Sequence, residues 1–489
     1  MSLELRDYQN EIYAEARAAI QSGFRAILLQ SPTGSGKTVL IAKMLEHASS
    51  KGYRAFFNVH RRELVKQSVL TLSEAAGLNL GIVAAGFNPN RHELIQVCSV
   101  QTLSKRRHLL HDPQLIVWDE AHHVATATWG DIFNAYPKAV HIGLTATPER
   151  LDGTGLDAFF KKLILGPSVK TLIDSGWLSP YKLYAPSSPD LSNVHTVAGD
   201  YNKRELSAVM DADTGVVGDA VEHYKRLAMG RRAIVFMWSV ESSIKMAAKF
   251  NEQGIPAAHI GGDTHEGERD RAIEDFRSGR LKILSNVEII SEGFDLPAIE
   301  AAFLLRPTRS LALYLQQVGR ALRTNPGKTE ALIFDHAGNC RQHGLPDDER
   351  IWSLEGRRRR RGDAAECPVK QCPKCYAMIA AASMECKWCH FKFQVMSRNV
   401  DELEGELSEV DLAKVRQQKL DEQNQAKTPE ELTRLGQMRG YKNPEKWAAH
   451  ILKWRGVKRE AHRDSDRRAA AEARSQREYS ALPKVKEWL

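Results

Sequence analysis

The nine residues Gln30-Ser31-Pro32-Thr33-Gly34-Ser35-Gly36-Lys37-Thr38 constrain this chain more than any other stretch. Ala26 to Leu29 before them is an apolar run with strand character. Val39 to His47 after them recurs apolar at helical spacing, so the order is strand, glycine loop, helix. Glycines let such a loop wrap backbone N–H groups around an anion, and the following helix presents its positive end to the same place. Lys37 is then placed to reach the outer phosphates of a nucleotide, and the Thr38 hydroxyl suits Mg2+, a hard cation that prefers oxygen ligands. The strict pattern has glycine at position 31, where this chain has Ser31. A chance glycine turn is the bland alternative, and the flanking strand and helix argue against it.

At 489 residues the chain suffices for about three domains. Its net charge of +8 is unevenly placed, with Arg357 to Arg361 forming an unbroken basic run that points to nucleic acid as a polyanionic partner. No apolar run approaches the ~20 residues of a membrane span, and the start lacks a charged-then-apolar signal pattern. A cytoplasmic protein without a membrane partner is expected. Four of the seven cysteines fall in two close pairs while Cys98 and Cys340 stand alone, a metal pattern rather than a disulfide framework.

Leu5-Arg6-Asp7-Tyr8-Gln9 precedes a helical pattern carrying Ile12, Ala16, Ala19 and Ile20. Ala55 to Val59 is strand-like and runs into His60-Arg61-Arg62-Glu63-Leu64, either a phosphate-backbone grip or a solvated helix start. Leu115 to Trp118 delivers Asp119 and Glu120, followed by Ala121 and His122, to the C-terminal end of a buried strand, the edge where ligands bind in a parallel α/β sheet. One carboxylate can hold Mg2+ while the other orients and deprotonates water. Val140 to Leu144 ends in Thr145-Ala146-Thr147-Pro148, whose hydroxyls can link the site to a neighbouring one or simply make a good turn.

Together these residues resemble a superfamily 2 helicase. Ser31 to Thr38 matches motif I, Asp119 to His122 spells the DEAH box, Thr145 to Thr147 looks like motif III and His60 to Leu64 like motif Ia. The resemblance implies that Arg6 and Gln9 recognise adenine, that Pro32, Thr33, Gly34, Ser35, Gly36, Lys37 and Thr38 bind ATP, and that Thr38 and Asp119 hold Mg2+. It also implies a second RecA-like lobe supplying arginines to the ATP site.

Strand and helix do alternate again from Arg232 to Leu305, arguing for a second parallel sheet. Glu292-Gly293-Phe294-Asp295 resembles motif V, which implies nucleotide contacts from Gly293 and Asp295. Gln316, Gly319, Arg320 and Arg323 resemble motif VI. Arg320 and Arg323 lie one helical turn apart, so both can meet a γ-phosphate across a cleft; a solvated basic helix face is the alternative.

Cys372, Cys375, Cys386 and Cys389 form two CxxC knuckles, the sulfur set of a closed structural Zn2+ site. The ten-residue spacer is long enough for a small hairpin, with Cys367 and His390 as substitute ligands. Tyr376, Trp388, Phe391 and Phe393 are either base-stacking groups beside the arginine run or the ribbon's own core. This order of parts resembles the RadD family of bacterial DNA-repair helicases and related phage and prophage helicases, which implies DNA work in repair, recombination or replication. Beyond the ribbon, Thr428-Pro429-Glu430-Glu431 is a capping box with proline at the first helical position, and Asn443-Pro444 can open a second helix. Trp447, Ile451, Leu452 and Trp454 are then a small module's core or a face for replication or repair proteins.

The expected fold is α/β, two tandem RecA-like P-loop NTPase lobes followed by a small zinc ribbon and a helical tail. The parts are lobe 1 over 1–183, a connector over 184–228, lobe 2 over 229–345, the basic run and ribbon over 346–397, and a charged helical region over 398–489. The expected function is an ATP-dependent helicase or translocase on DNA, single-stranded or branched, using ATP, Mg2+ and Zn2+. Lys37, Asp119, Glu120, His122, Gln316, Arg320 and Arg323 are its catalytic set. A P-loop ATPase that remodels proteins, or a DNA binder switched by ATP without unwinding, are the competing readings.

Overall fold

A computed structural model describes residues 4–60, 62–88, 90–150, 152–185, 189–197, 199–212, 220–287, 296, 299–356, 368–393, 417, 421–439 and 443–452. The described residues through 393 form one unit and those from 417 to 452 belong to a second.

In the first unit, helix α1 (Asp7–Gln21) precedes strand β1 (Ala26–Gln30), and α2 (Lys37–Ser50) follows the glycine loop. Strands β2 (Ala55–Val59), β3 (Leu80–Val83), β4 (Ile95–Ser99), β5 (Leu115–Asp119), β6 (Val140–Thr145) and β7 (Lys162–Leu165) complete a seven-stranded sheet. Its order is β3-β4-β2-β5-β6-β1-β7, parallel at every junction. The strands read as unbroken apolar runs because both faces are covered. Ile27 and Leu29 of β1 pack with Ile12, Ala16, Ala19 and Ile20 of α1, while Leu28 between them packs with Trp118 and Phe160 on the other face. Register then places the chemistry: Gln30 lies opposite Thr145, and Asp119 opposite Leu144, so adjacent strands β5, β6 and β1 end at one edge.

The second sheet contains β8 (Tyr181–Tyr184). After a hairpin of β9 (Thr196–Val197) and β10 (Asp200–Tyr201) come β11 (Ala233–Phe236), β12 (Ala257–His259), β13 (Ile283–Asn286), β14 (Ala301–Leu304) and β15 (Ala331–Asp335). The order is β12-β13-β11-β14-β15-β8, again all parallel. The boundary expected after residue 183 thus falls inside a strand whose hydrogen bonds run to β15. Most of the expected connector also belongs to this lobe, because Leu206 and Met210 of the Lys203–Ala212 helix, with Tyr224, pack against Val235 and Phe303.

Strands β16 (Val369–Gln371) and β17 (Met378–Ala380) form an antiparallel hairpin at the edge of the second lobe. Met378 joins the core cluster of Tyr181 and Leu183. Lys387 reaches Asp347 at 3.4 Å, and Lys182 lies 5.9 Å from the Trp388 ring centre. The ribbon therefore covers an edge strand that would otherwise expose unpaired backbone groups.

In the second unit, helix Pro429–Met438 starts at a Thr428 cap completed by Glu431, as the sequence predicts. A Cβ on Gly436 would lie 3.0 Å from both Pro444 and Trp447, and Leu432 and Ala448 are buried. Trp447 is half-buried, its ring against Gly436; Trp454 lies outside the described residues. No helix among the described residues is long and apolar enough to cross a membrane.

Candidate nucleotide site

Gly34 and Gly36 adopt left-handed backbone conformations, φ 87° and 79°, which a side chain would strain. Space reinforces this at Gly36, where a Cβ would stand 2.7 Å from Nε2 of Gln9. That nitrogen donates to the carbonyls of Ser35 and Gly36, each at 3.2 Å. Oε1 of Gln9 accepts from the Arg6 amide at 3.0 Å, and the Tyr8 hydroxyl donates to Ser35 O at 2.6 Å. The start of α1 thus holds the phosphate loop from behind. Ser31, where the strict motif has glycine, bonds its hydroxyl to that of Ser35 at 2.7 Å, closing the loop's base.

At the ends of the neighbouring strands, Lys37 Nζ lies 3.3 Å from Ser31 O and 3.9 Å from Oε1 of Glu120. Glu120 has φ 47°, a sparsely populated left-handed conformation for a residue with a Cβ, and its turn aims the carboxylate into the cleft beside Lys37. His122 Nδ1 lies 3.5 Å from Oε2 of Glu120 and 3.3 Å from the Thr145 hydroxyl, which donates to Thr147 O at 2.8 Å. The end of β6 is thereby connected to the acidic pair. Burial, then the charge of Glu120, push the Asp119 carboxyl up to about 6, with Lys37 and His60 opposing. A buried carboxylate so disfavoured is one that a divalent cation would stabilise, and the Thr38 hydroxyl lines the same cleft.

Behind β5, the Trp118 indole donates to Nδ1 of His141 at 3.2 Å, and His141 Nε2 donates to Tyr136 O at 2.9 Å. Burial lowers this imidazole to about 4, so it stays neutral and serves as a spacer under the acidic strand end. His60 stacks on His123 with centroids 5.0 Å apart, and His123 in turn meets His122 at 4.3 Å and Trp129 at 5.5 Å. A row of rings therefore runs from the end of β2 to the DEAH residues.

The cleft, of about 360 Å³, is closed by the second lobe: Arg320, Arg323 and Thr324 line it opposite Gly34, Gly36, Lys37 and Thr38. Helix Leu311–Leu322 ends one residue before Arg323, whose backbone is extended. Sequence spacing places both arginines on one helix face; instead Arg323 leaves the helix because Ser179 N takes the Leu322 carbonyl at 2.7 Å and Leu178 bridges to Arg323. Lys328 completes the end, donating to Ile299 O at 2.9 Å, to Arg323 O at 2.7 Å and to Ala321 O. Both arginines still face the cleft. Gln316, one turn before Arg320, is buried and does not line it.

At the far end Arg6 lies 3.9 Å from the centre of the Trp177 ring, and Tyr8 meets the same indole edge-on at 6.5 Å. Trp177 and Arg6 both line the cleft. Trp177, Tyr8, His123 and Lys328 escape motif reading. Tyr8 and His123 sit inside or beside recognisable motifs, but nothing local marks Trp177 or Lys328. Pro32 lines a smaller cavity of about 140 Å³ between the lobes. Gly293, Asp295, Arg357 to Arg361 and Cys367 lie outside the described residues, as do the side chains of Arg61, Arg62 and Glu63.

The sulfurs of Cys372, Cys375, Cys386 and Cys389 all lie within 4.8 Å of one another. Cys372 and Cys389 approach to 3.5 Å, and Cys375 and Cys386 to 3.6 Å. A tetrahedral set at Zn–S of ~2.3 Å has S···S near ~3.8 Å, so the cluster fits that ion. Trp388, Phe391 and Phe393 pack around Cys372, Ile379 and Cys386 as the ribbon's core, whereas Tyr376 is exposed.

Residues 2–150 match the family described as "Type III restriction enzyme, res subunit", and residues 218–325 the "Helicase conserved C-terminal domain". The chain is 36% identical over 392 residues to a "51.5 kDa protein" of a Lactococcus phage (isolate 7-9), covering 80% of this chain and 83% of that one. It is 29% identical over 354 residues to the "Putative ATP-dependent helicase IRC3" of Saccharomyces cerevisiae, covering 68% of this chain but only 51% of the yeast protein. In fold it is similar to a fragment of a putative HsdR subunit of a type I restriction enzyme from Vibrio vulnificus YJ016, with a TM-score of 0.56, 22% identity, and coverage of 70% of this chain and 66% of that one.

Proposed function

Because this chain belongs to the superfamily 2 helicases and is therefore an ATP-dependent helicase or translocase, we propose that it acts on DNA and that the cleft between its lobes is the site of ATP hydrolysis. The observation that carries this reading is the approach of Arg320 and Arg323 from one lobe to Lys37 and Glu120 from the other.

In this reading Lys37 and the loop amides bind the β- and γ-phosphates, and Glu120 orients the attacking water and takes its proton. His122 and Lys37 position the Glu120 carboxylate. Thr38 and Asp119 would hold Mg2+, which supplies neutralising charge on the phosphate oxygens. Arg320 and Arg323 stabilise the charge that develops on the transferred phosphoryl group, so hydrolysis depends on lobe closure. Arg6 and Trp177 take the base. Cys372, Cys375, Cys386 and Cys389 would hold a structural Zn2+. DNA is favoured over RNA by the likeness of residues 2–150 to restriction-enzyme subunits, while the basic run at Arg357 to Arg361 supplies charge for a nucleic-acid backbone of either kind.

Steady-state ATP hydrolysis by the purified protein, alone and with single-stranded, duplex or forked DNA or single-stranded RNA, tests the proposal. DNA should raise turnover, and Lys37→Ala and Arg320→Ala should each abolish the stimulated rate. Strand-displacement assays on the best activator then separate unwinding from translocation. Turnover indifferent to nucleic acid would favour the protein-remodelling ATPase instead.

A further inference from the structure

The segment that follows β15 is bound to both lobes within three residues. On the second lobe, Arg350 donates to the carbonyls of His343, Leu345, Pro346 and Asp348 at 2.7 to 3.2 Å, and Trp352 packs against that lobe's core. Two residues on, Leu354 packs against the first lobe's core beside Leu156 and Phe160. Its carbonyl accepts from the amides of Leu156 and Asp157, at 2.7 and 3.0 Å. Gly356 then pairs antiparallel with Thr154.

This seam is backbone against backbone, and its glycines are what allow it. A Cβ on Gly155 would stand 2.0 Å from Leu354 O, and one on Gly356 would stand 2.4 Å from Gly155 N. Gly356 also has φ 72°. The receiving loop is the one that follows Thr145-Ala146-Thr147-Pro148, folded by bonds from Arg150 N to Thr154 O and from Gly153 N to Arg150 O, both 2.9 Å. Two residues of extended chain reach at most about 7 Å. While both anchors hold, the lobes cannot part at this edge.

We propose that residues 352–356 form a clasp between the lobes, which keeps the nucleotide cleft assembled before nucleic acid binds. The clasp turns lobe movement into rotation about this edge rather than free separation, so Arg320 stays within reach of the phosphate loop through the cycle. Its effect on ATP turnover rests on the function proposed above. Its effect on lobe separation does not.

The experiment uses the full chain with one fluorophore on each lobe and compares wild type with Leu354→Asp and Gly155→Val. Without nucleotide or DNA, wild type should give one narrow, short distance distribution and slow hydrogen exchange at the Leu156 and Asp157 amides. Both variants should exchange those amides at least about tenfold faster, broaden the distribution and raise KM for ATP several-fold without DNA. Their kcat at saturating ATP and DNA should stay within about twofold of wild type. Leu354→Ala, a milder change, should show the same pattern in smaller measure and guards against misfolding, which circular dichroism monitors. Fast exchange at both amides with an unchanged distance distribution would overturn the clasp. An opened distribution in a protein whose turnover ignores nucleic acid would leave the clasp standing and sink the motor reading alone.

Discussion

Gly319 of the second lobe stands so close to Thr33 of the phosphate loop that a Cβ on it would lie 2.5 Å from the Thr33 Cβ. Motif VI reads as a glutamine, a glycine and two arginines in the sequence, and the glycine is explained only by what lies across the cleft. Its helix meets the loop with no room for a methyl group. Gly319→Val should therefore leave each lobe folded but hold the helix away from the loop. We expect kcat/KM for ATP to fall at least about tenfold, ~1.4 kcal/mol, with little change in the circular dichroism spectrum. A variant with wild-type turnover would show that the lobes do not meet this way during catalysis.

Trp177 and Arg6 form a stacked pair 3.9 Å apart at the base end of the cleft. Trp177→Ala should raise KM for ATP about three- to tenfold, the range of one cation–π or stacking contact, while leaving kcat near wild type. A fall in kcat at unchanged KM would place the indole's role elsewhere.

Lys328 donates to two carbonyls at the end of the arginine helix, Ala321 and Arg323, and ties them to the Ile299 carbonyl ahead of β14. Burial pushes its ammonium down to about 8, with Arg231 adding to the effect and Glu300 opposing it. An unfolded lysine titrates near ~10.4, so between about pH 8 and pH 10.4 the unfolded chain binds the extra proton and the folded state gains stability as pH rises. Lys328→Met removes this titration. Urea unfolding at pH 7.5 and pH 10 should show the wild type gaining up to roughly 2 kcal/mol relative to the variant at the higher pH. A constant difference would refute the buried-ammonium picture.

The cysteine ribbon shares Met378 with the core of the second lobe. A purified preparation should carry about one zinc per chain, and chelation under mild heating should release it. Unlike loss from a detached ribbon, this loss should lower the unfolding temperature of the whole chain by several degrees, because the ribbon covers the β8 edge. Cys386→Ser should do the same without chelator. Zinc loss with an unchanged unfolding profile would make the ribbon energetically separate.

The chemistry of the cleft was legible in the sequence because each part is local. Strand, glycine loop and helix all lie within residues 26–50, and Asp119 and Glu120 end one apolar run. Period-two burial of Ile27, Leu28 and Leu29 on alternate faces explains why such runs read as doubly covered strands. The two CxxC knuckles likewise declare four thiolates by spacing alone.

Other features depend on contacts between residues far apart in the chain. Tyr181 to Tyr184 straddles the expected lobe boundary yet pairs with β15, since strand order follows packing rather than sequence order. Asn325-Pro326-Gly327 signals locally that the helix cannot run past this point, but that it stops at Leu322, before Arg323, follows from Ser179 taking its last carbonyl.

The sequence by itself determined which chemical groups the chain carries and on which kind of element each sits, because phosphate loops, strand-end carboxylates and cysteine knuckles are made from near neighbours. Tertiary structure alone decided that Trp177 faces Arg6, that Gly319 admits Thr33, and that Leu354 docks on the first lobe. Those relationships come from how two sheets and their covering helices pack across a cleft, where close contact selects residues for the space left by partners distant in the chain.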